Sequence, residues 1–398
     1  MSGYRLYSSL ENADFAQKYA QIDLTSLREN YCILRDGLLA RAPSLRAIAV
    51  VKADAYGHGA PACVRALLRE GCDFFAVSCF EEAVAVRREC DALGASAEIL
   101  ILGYTDPREA ERLVSERLLQ TVLSEEYARA LDAAAQKAAV CVRVHVAINT
   151  GMNRIGLDAR SSEEFLRAAD ALLRIKEMSG IDVSGMYTHF SNADEETPVG
   201  EDATARQLAR YRALREEIER RGMYVPFHHV CNSAAAVRGV AELFDGARLG
   251  ILLYGVYPAL SSLPLQPVMR LCARVVHVFR LPAGERVGYG GEYCAETEKT
   301  VAVIAIGYAD GWLRAYRGAC VRVHAKAGDF DAPVLGRVCM DQCMLDVTGK
   351  EVRIGDAVTL FGADRAQLAA LSERAGSIDY EGLCLVSSRV LRVYKGTC

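Results

Sequence analysis

The chain has 398 residues, about half of them hydrophobic and a quarter charged, with a formal net charge of −4. At roughly 150 residues per domain this is two or three globular domains. The small charge, without a basic run or basic-aromatic cluster, argues against nucleic acid as a partner. No apolar stretch nears the ~20 residues of a membrane helix, which argues against a membrane partner.

Residues 1–20 mix Glu11 and Asp14 with aromatics and lack an apolar h-region. They read as an N-terminal extension packing on the C-terminal domain, not as a signal peptide, and the protein is expected to be cytoplasmic. Fourteen cysteines are scattered without a CxxC pair, which suits reduced buried thiols and leaves no metal site.

From residue 21 to 263 short apolar runs alternate with amphipathic stretches. The runs are Ile48–Val51, Phe74–Val77, Ile99–Leu102, Thr121–Leu123, Cys141–Ile148, Val183–Tyr187, His229–Cys231 and Ala247–Leu249. Helical segments between them include Ala62–Arg69, Glu81–Glu89, Pro107–Arg117, Ser162–Arg174 and Ala205–Arg221. Asp106 followed by Pro107 is an N-cap with an N1 proline. About eight strand–helix units over close to 250 residues predict a parallel (β/α)8 TIM-type barrel. An open doubly wound sheet is the alternative, but no GxGxxG follows the first strand.

Pro264 and Pro267 mark a linker, and residues 264–398 change character. Strand-like runs broken by glycines predict a mainly antiparallel β domain: Ala273–Phe279, Thr300–Ile306, Cys320–His324, Pro333–Val338, Met344–Val347 and Ala357–Phe361. One helix, near Arg365–Arg374, interrupts them.

Lys52 ends the first predicted strand, where barrels place catalytic groups. Burial there favours the neutral amine that imine formation needs. A surface lysine capping a strand would look the same in isolation. However, Arg154 follows strand five, His189 ends strand six, Asn232 and Ser233 end strand seven, and Arg248 ends strand eight. Tyr56, one helical turn after Lys52, adds a hydroxyl. Ser233 with the amides of Gly250 and Ile251 lies where barrels often hold phosphate. Each residue has a bland explanation alone. Agreement of five strand ends on one face points to a phosphate-bearing cofactor beside a lysine.

The segment Val51-Lys52-Ala53-Asp54-Ala55-Tyr56-Gly57-His58-Gly59 resembles the cofactor-lysine signature of the alanine racemase family, fold-type III pyridoxal-phosphate enzymes. Val287-Gly288-Tyr289-Gly290, Ile306-Gly307-Tyr308-Ala309-Asp310-Gly311 and Gly336-Arg337-Val338-Cys339-Met340-Asp341-Gln342 match further family motifs. The likeness runs from Ile22 to about Tyr394. It implies pyridoxal 5'-phosphate as cofactor, with Lys52 and Tyr289 as the two acid/base groups on opposite faces of the substrate Cα. It also implies that His189 and Arg248 ease proton loss from Tyr289, whose ordinary pKa near ~10 makes it a poor base. Arg248 would face the pyridine nitrogen, where a donor-only side chain leaves it unprotonated.

By the same resemblance Arg154 and the Met340 amide contact the substrate carboxylate. Tyr56, Ser233, Gly250 and Ile251 contact phosphate, and Tyr308 and Asp341 line the entrance. Tyr289, Tyr308, Met340 and Asp341 would come from the partner chain of a homodimer with shared active sites.

Two positions depart from the pattern. Ala147 stands where many relatives have a lysine that, as a carbamate, braces the carboxylate-binding arginine. Asn149 or a bound anion must then position Arg154. Ser388, in the segment Ser387–Tyr394 that aligns with the closing strand, replaces a gate tyrosine. This departure predicts activity extended from alanine toward serine, with a dedicated serine racemase as the alternative. A fold-type III decarboxylase is disfavoured by Tyr289 and Arg248, and a non-enzymatic cofactor-binding protein by the presence of a β domain. A degenerate regulator is disfavoured by the intact Lys52, Tyr289 and Arg248. D-amino acid for peptidoglycan is the expected product.

Overall fold

The computed structural model describes residues 16–239, 242–256 and 263–396. Eight parallel strands form the N-terminal barrel: Arg46–Val50, Phe74–Val77, Glu98–Ile101, Leu119–Val122, Val142–Asn149, Ile181–Thr188, His228–Cys231 and Gly246–Leu249. Each pairs with the next, and Gly246–Leu249 returns to Arg46–Val50, so the sheet closes. The predicted barrel is therefore present, with its strands within one or two residues of the expected ends. Strands such as Phe74–Val77 and Leu119–Val122 are buried at every position, as strands covered on both faces must be.

The outer helices start where their caps dictate. The Asp106 side chain accepts from the Arg108 amide, and Ser161 and Glu164 form a reciprocal capping box for Ser162–Lys176. The single helix expected over Pro107–Arg117 is a 3-10 turn, Pro107–Glu109, followed by a helix, Ala110–Ser115. It ends early because Arg117 takes a left-handed φ of 53°.

The C-terminal domain is built on six antiparallel strands. They are Met269–Leu281, Lys299–Ile304, Cys343–Asp346, Gly328–Leu335, Cys320–Ala325 and Ala357–Phe361, the last pairing again with the first. The run predicted at Pro333–Val338 is displaced: Gly328–Leu335 pairs as a hairpin with Cys320–Ala325. Lys18–Asp23 pairs antiparallel with Met269–Leu281 and parallel with Leu391–Lys395. Residues 1–15 of the N-terminal extension lie outside the described residues. The final strand starts at Leu391, so Ser388 is not in it as expected. The Val390 amide donates to the Ser387 carbonyl and the Arg389 amide to Ser387 Oγ, which closes a turn around Ser388 instead. Among the described residues no helix is long and apolar enough to cross a membrane.

Candidate active site

Lys52 follows the first barrel strand at its C-terminal end. The next four residues curl as a left-handed helical turn, with φ of 52° to 55° at Ala53, Asp54, Ala55 and Tyr56. The expected turn is thus present with the opposite hand. That hand costs non-glycine residues roughly 1–2 kcal/mol each, so surrounding contacts must hold it. Glu82 Oε1 accepts from the Ala53 amide at 2.7 Å, and Asp54 Oδ1 from the Ala60 amide at 2.7 Å. Arg392 Nε donates to the Gly57 carbonyl at 3.0 Å. His58 Nδ1 donates to the carbonyls of Ala55 and Tyr56; both partners only accept, which puts the proton on that nitrogen.

The turn delivers the Tyr56 hydroxyl toward the end of the eighth strand. The Gly250 amide donates to Ser233 Oγ at 2.7 Å. A Cβ at Gly250 would lie 2.7 Å from the Tyr56 hydroxyl and 3.8 Å from Ser233 Oγ. Two hydroxyls and a strand end therefore surround a cradle that one methyl group would invade. The buried Ile251 starts the short turn Ile251–Tyr254 behind it. Because the Gly250 amide is bonded to Ser233, the hydroxyl hydrogens of Ser233 and Tyr56 and the Ile251 amide are the donors left for an anion. This donor set suits a phosphate monoester.

Arg248 is buried, and none of its hydrogen-bond partners is a carboxylate. It donates to the carbonyls of His229, Thr188 and Val230 at 2.7, 2.7 and 3.0 Å. It also reaches His229 Nδ1 at 2.6 Å and His189 Nδ1 at 3.4 Å. Tyr187 lies beneath the guanidinium, 5.1 Å from ring centroid to Cζ. A guanidinium only donates, so His229 Nδ1 must accept. Its proton then sits on Nε2, which donates to His145 Nδ1 at 2.9 Å. Burial and the neighbouring cations push His189 down to about 3. Burial likewise pushes His145 to about 3 and His229 well below its ordinary value. The imidazoles are neutral supports of one fixed cation.

Burial also lowers the Lys52 amine from its ordinary value, and the positive charges of Arg154 and Arg248 act in the same direction. Glu82 opposes them. Arg154 projects from the loop after the fifth strand and is exposed. Asn149 secures that loop: its Oδ1 accepts from the amides of Gly151 and Asn153, and its Nδ2 donates to Asp158 Oδ1 at 2.6 Å. Ala147 is buried in the strand itself.

The barrel thus gathers Lys52, Tyr56, Arg154, His189, Ser233, Arg248, Gly250 and Ile251. It does not gather the other predicted residues. Tyr289 sits at the tip of a ribbon, Arg286–Val287 paired with Tyr293–Cys294, and is 70% exposed. With Met340 and Asp341 it lines an open cleft whose walls, including Phe279, Val287 and Met344, come from the β domain. Tyr308 joins this face because its amide donates to the Cys339 carbonyl. Ser388 is exposed, and its neighbour Arg389 donates to Asp341 Oδ1 at 2.6 Å.

Sequence reasoning missed Glu82, Tyr187, His145 and His229. Polar side chains at buried barrel-strand positions were the available signal for the last three.

A barrel mouth holding a lysine beside an anion cradle, in a chain with a separate β domain, defines an enzyme of the (β/α)8 class. Comparison with known proteins then makes the family specific. A family model for the alanine racemase N-terminal domain matches residues 22–258, and one for its C-terminal domain matches 268–394. Alanine racemases of Clostridium novyi and Clostridium perfringens are 36% and 39% identical over 387 and 385 residues. These alignments cover 94% and 95% of this chain, and 95% of each relative. The structure of the Clostridium difficile 630 alanine racemase is 32% identical, with TM-score 0.85 over 96% of each chain. That of Bacillus anthracis with bound L-Ala-P is 30% identical, with TM-score 0.84 and the same coverage. The chain belongs to the alanine racemase family, pyridoxal-phosphate-dependent isomerases.

Proposed function

We propose that this chain interconverts L- and D-alanine by a two-base mechanism with pyridoxal 5'-phosphate held at the barrel mouth. The observation that carries the reading is the convergence of Lys52 with the Tyr56–Ser233–Gly250 cradle. Tyr56, Ser233 and the Ile251 amide would hold the phosphate, and Lys52 would attach the cofactor. When bound, the cofactor supplies a conjugated ring that delocalises charge from the substrate Cα. Arg248 would face that ring with donors only and keep its own proton, so the ring nitrogen would stay unprotonated.

Arg154 and the Met340 amide bind the substrate carboxylate and fix the Cα between two proton-transfer groups. Lys52 Nζ takes or returns the proton on the face of the D-enantiomer, and the Tyr289 hydroxyl does so on the face of the L-enantiomer. Two groups are needed because one base cannot reach both faces of a planar carbon. His189, linked to Arg248, would support the tyrosine's loss of its proton.

The division of the site supports a homodimer. The barrel of one protomer holds Lys52, while Tyr289, Tyr308, Met340 and Asp341 are displayed outward on the β domain. We infer that each protomer completes the mouth of its partner. Mixing Lys52→Ala chains with Tyr289→Phe chains should then restore about a quarter of wild-type activity: half the dimers are mixed, and each mixed dimer has one intact site. Demonstrated mixed dimers without activity would refute the sharing.

Chiral analysis of L-alanine and L-serine turnover tests the reaction itself. Racemisation of alanine supports the reading, and decarboxylation or no turnover overturns it. The exposed Ser388 favours serine as a second substrate. D-alanine for peptidoglycan is the corresponding role in a cytoplasmic enzyme.

A further inference from the structure

We propose that Glu82 is the positioning residue of Lys52. Its carboxylate clamps the left-handed turn that carries the lysine to the loop after the second strand, and places a negative charge against the amine. The inference rests on the reading of Lys52 as the cofactor lysine.

Glu82 lies in the first turn of the helix Phe80–Ala92. One oxygen does what a glutamate commonly does there: Oε2 accepts from the Ser78 amide at 2.8 Å, just ahead of its own helix. The other oxygen does not serve that helix. Oε1 crosses to a different strand end and accepts from the Ala53 amide at 2.7 Å. Ala53 is the residue after Lys52 and the first of the four with left-handed φ. Helix capping alone needs only the first contact. The second fixes the direction in which the chain leaves Lys52, and hence where the amine points.

Charge supports the same assignment. The groups facing Lys52 are Arg154 from the loop after the fifth strand, Arg248 from the eighth strand, Cys384 from the helix Asp379–Cys384, and Glu82. Lys52 in turn acts on His189, at the end of the sixth strand. Arg154 and Arg248 disfavour a protonated amine, and Glu82 counters them. A lysine that must lose and regain a proton in each turnover needs both influences.

The test uses full-length holoenzyme stripped of cofactor and reloaded with pyridoxal 5'-phosphate across a pH series. Affinity and attachment rate are followed by absorbance, and borohydride-fixed cofactor is located by mass spectrometry. Glu82→Gln removes the charge and one acceptor while keeping the shape. Its attachment midpoint should move to lower pH, because loss of a negative neighbour favours the neutral amine. Its cofactor affinity should fall about tenfold, the worth of a charge-assisted hydrogen bond. Glu81→Gln, altering the exposed neighbouring carboxylate, should match wild type.

A folded Glu82→Gln protein with wild-type midpoint and affinity overturns the proposal. If that variant is insoluble, Glu82→Asp decides: it keeps the charge but shortens the reach, so the midpoint should hold while affinity falls. Unchanged affinity there also overturns the proposal. Cofactor absent from the Lys52 peptide of the wild type would instead refute the assignment of Lys52.

Discussion

At Gly250 the end of the eighth strand approaches Tyr56 so closely that a methyl group would stand 2.7 Å from its hydroxyl. Gly250→Ala should therefore displace Tyr56 or Ser233 from the anion cradle. Spectroscopic titration should show cofactor affinity falling by at least about tenfold, with the fold kept, since the displaced atoms end side chains rather than backbone. An alanine variant binding cofactor as wild type does would remove Tyr56 and Ser233 from the phosphate site. Ser388 is proposed to govern a different property. It is exposed in a turn next to Arg389, which grips Asp341, so a small hydroxyl there leaves room where a tyrosine would not. Discrimination between a methyl and a hydroxymethyl side chain in a hydrophobic pocket is modest, roughly a hundredfold at most. Ser388→Tyr should lower kcat/KM for L-serine relative to L-alanine within that range, measured by chiral chromatography. An unchanged ratio would rule out a gate at Ser388.

The left-handed turn after Lys52 is where element and function meet. Gly57 continues it at φ +80°, and a Cβ there would come within 2.6 Å of the Leu383 carbonyl. Gly71 has nearly the same φ, +79°, with open space around it. The pair separates backbone strain from contact. Gly71→Ala should cost about 1 kcal/mol, the strain of the left-handed region. Gly57→Ala should cost distinctly more in urea unfolding, and should loosen the helix Asp379–Cys384 on the turn. Equal losses would show that the contact carries no weight.

The same turn shows what a sequence reveals and withholds. Strand ends were legible to within a residue or two, because strands covered on both faces are short continuous apolar runs. The residues at their ends, from Lys52 to Arg248, followed from that. The handedness of Ala53–Tyr56 was not legible, since no glycine announces positive φ there and the clamps come from Glu82 and Arg392. The strand over Gly328–Leu335 was misplaced because its Gly-Asp-Phe-Asp start is polar and is a strand only through its hairpin partner. Resemblance to a known family, rather than local pattern, singled out Tyr289, Met340 and Asp341. Their exposed positions carry no periodic signal.

Across the whole molecule the histidines tie stability to pH. Burial pushes His58 and His228 down to about 4, and His145 to about 3, against about 6.5 in an unfolded chain. These groups stay neutral in the fold while the unfolded chain takes up protons, so between about pH 6.5 and 4 the unfolded state binds more protons. Stability must then rise with pH through this window and level off above it. The folded-state values set the lower end, where the native imidazoles themselves begin to protonate. At pH 5 unfolding should take up about three protons through these residues alone, a steep dependence for one domain. Urea midpoints of the holoenzyme measured from pH 4 to 8 test this. A flat profile between pH 5 and 6.5 would mean that all three imidazoles are already charged in the native state. That would contradict the hydrogen bond that leaves His145 Nδ1 as an acceptor. His145→Asn should reduce the slope by about one proton, because asparagine keeps an acceptor for His229 but has nothing to titrate.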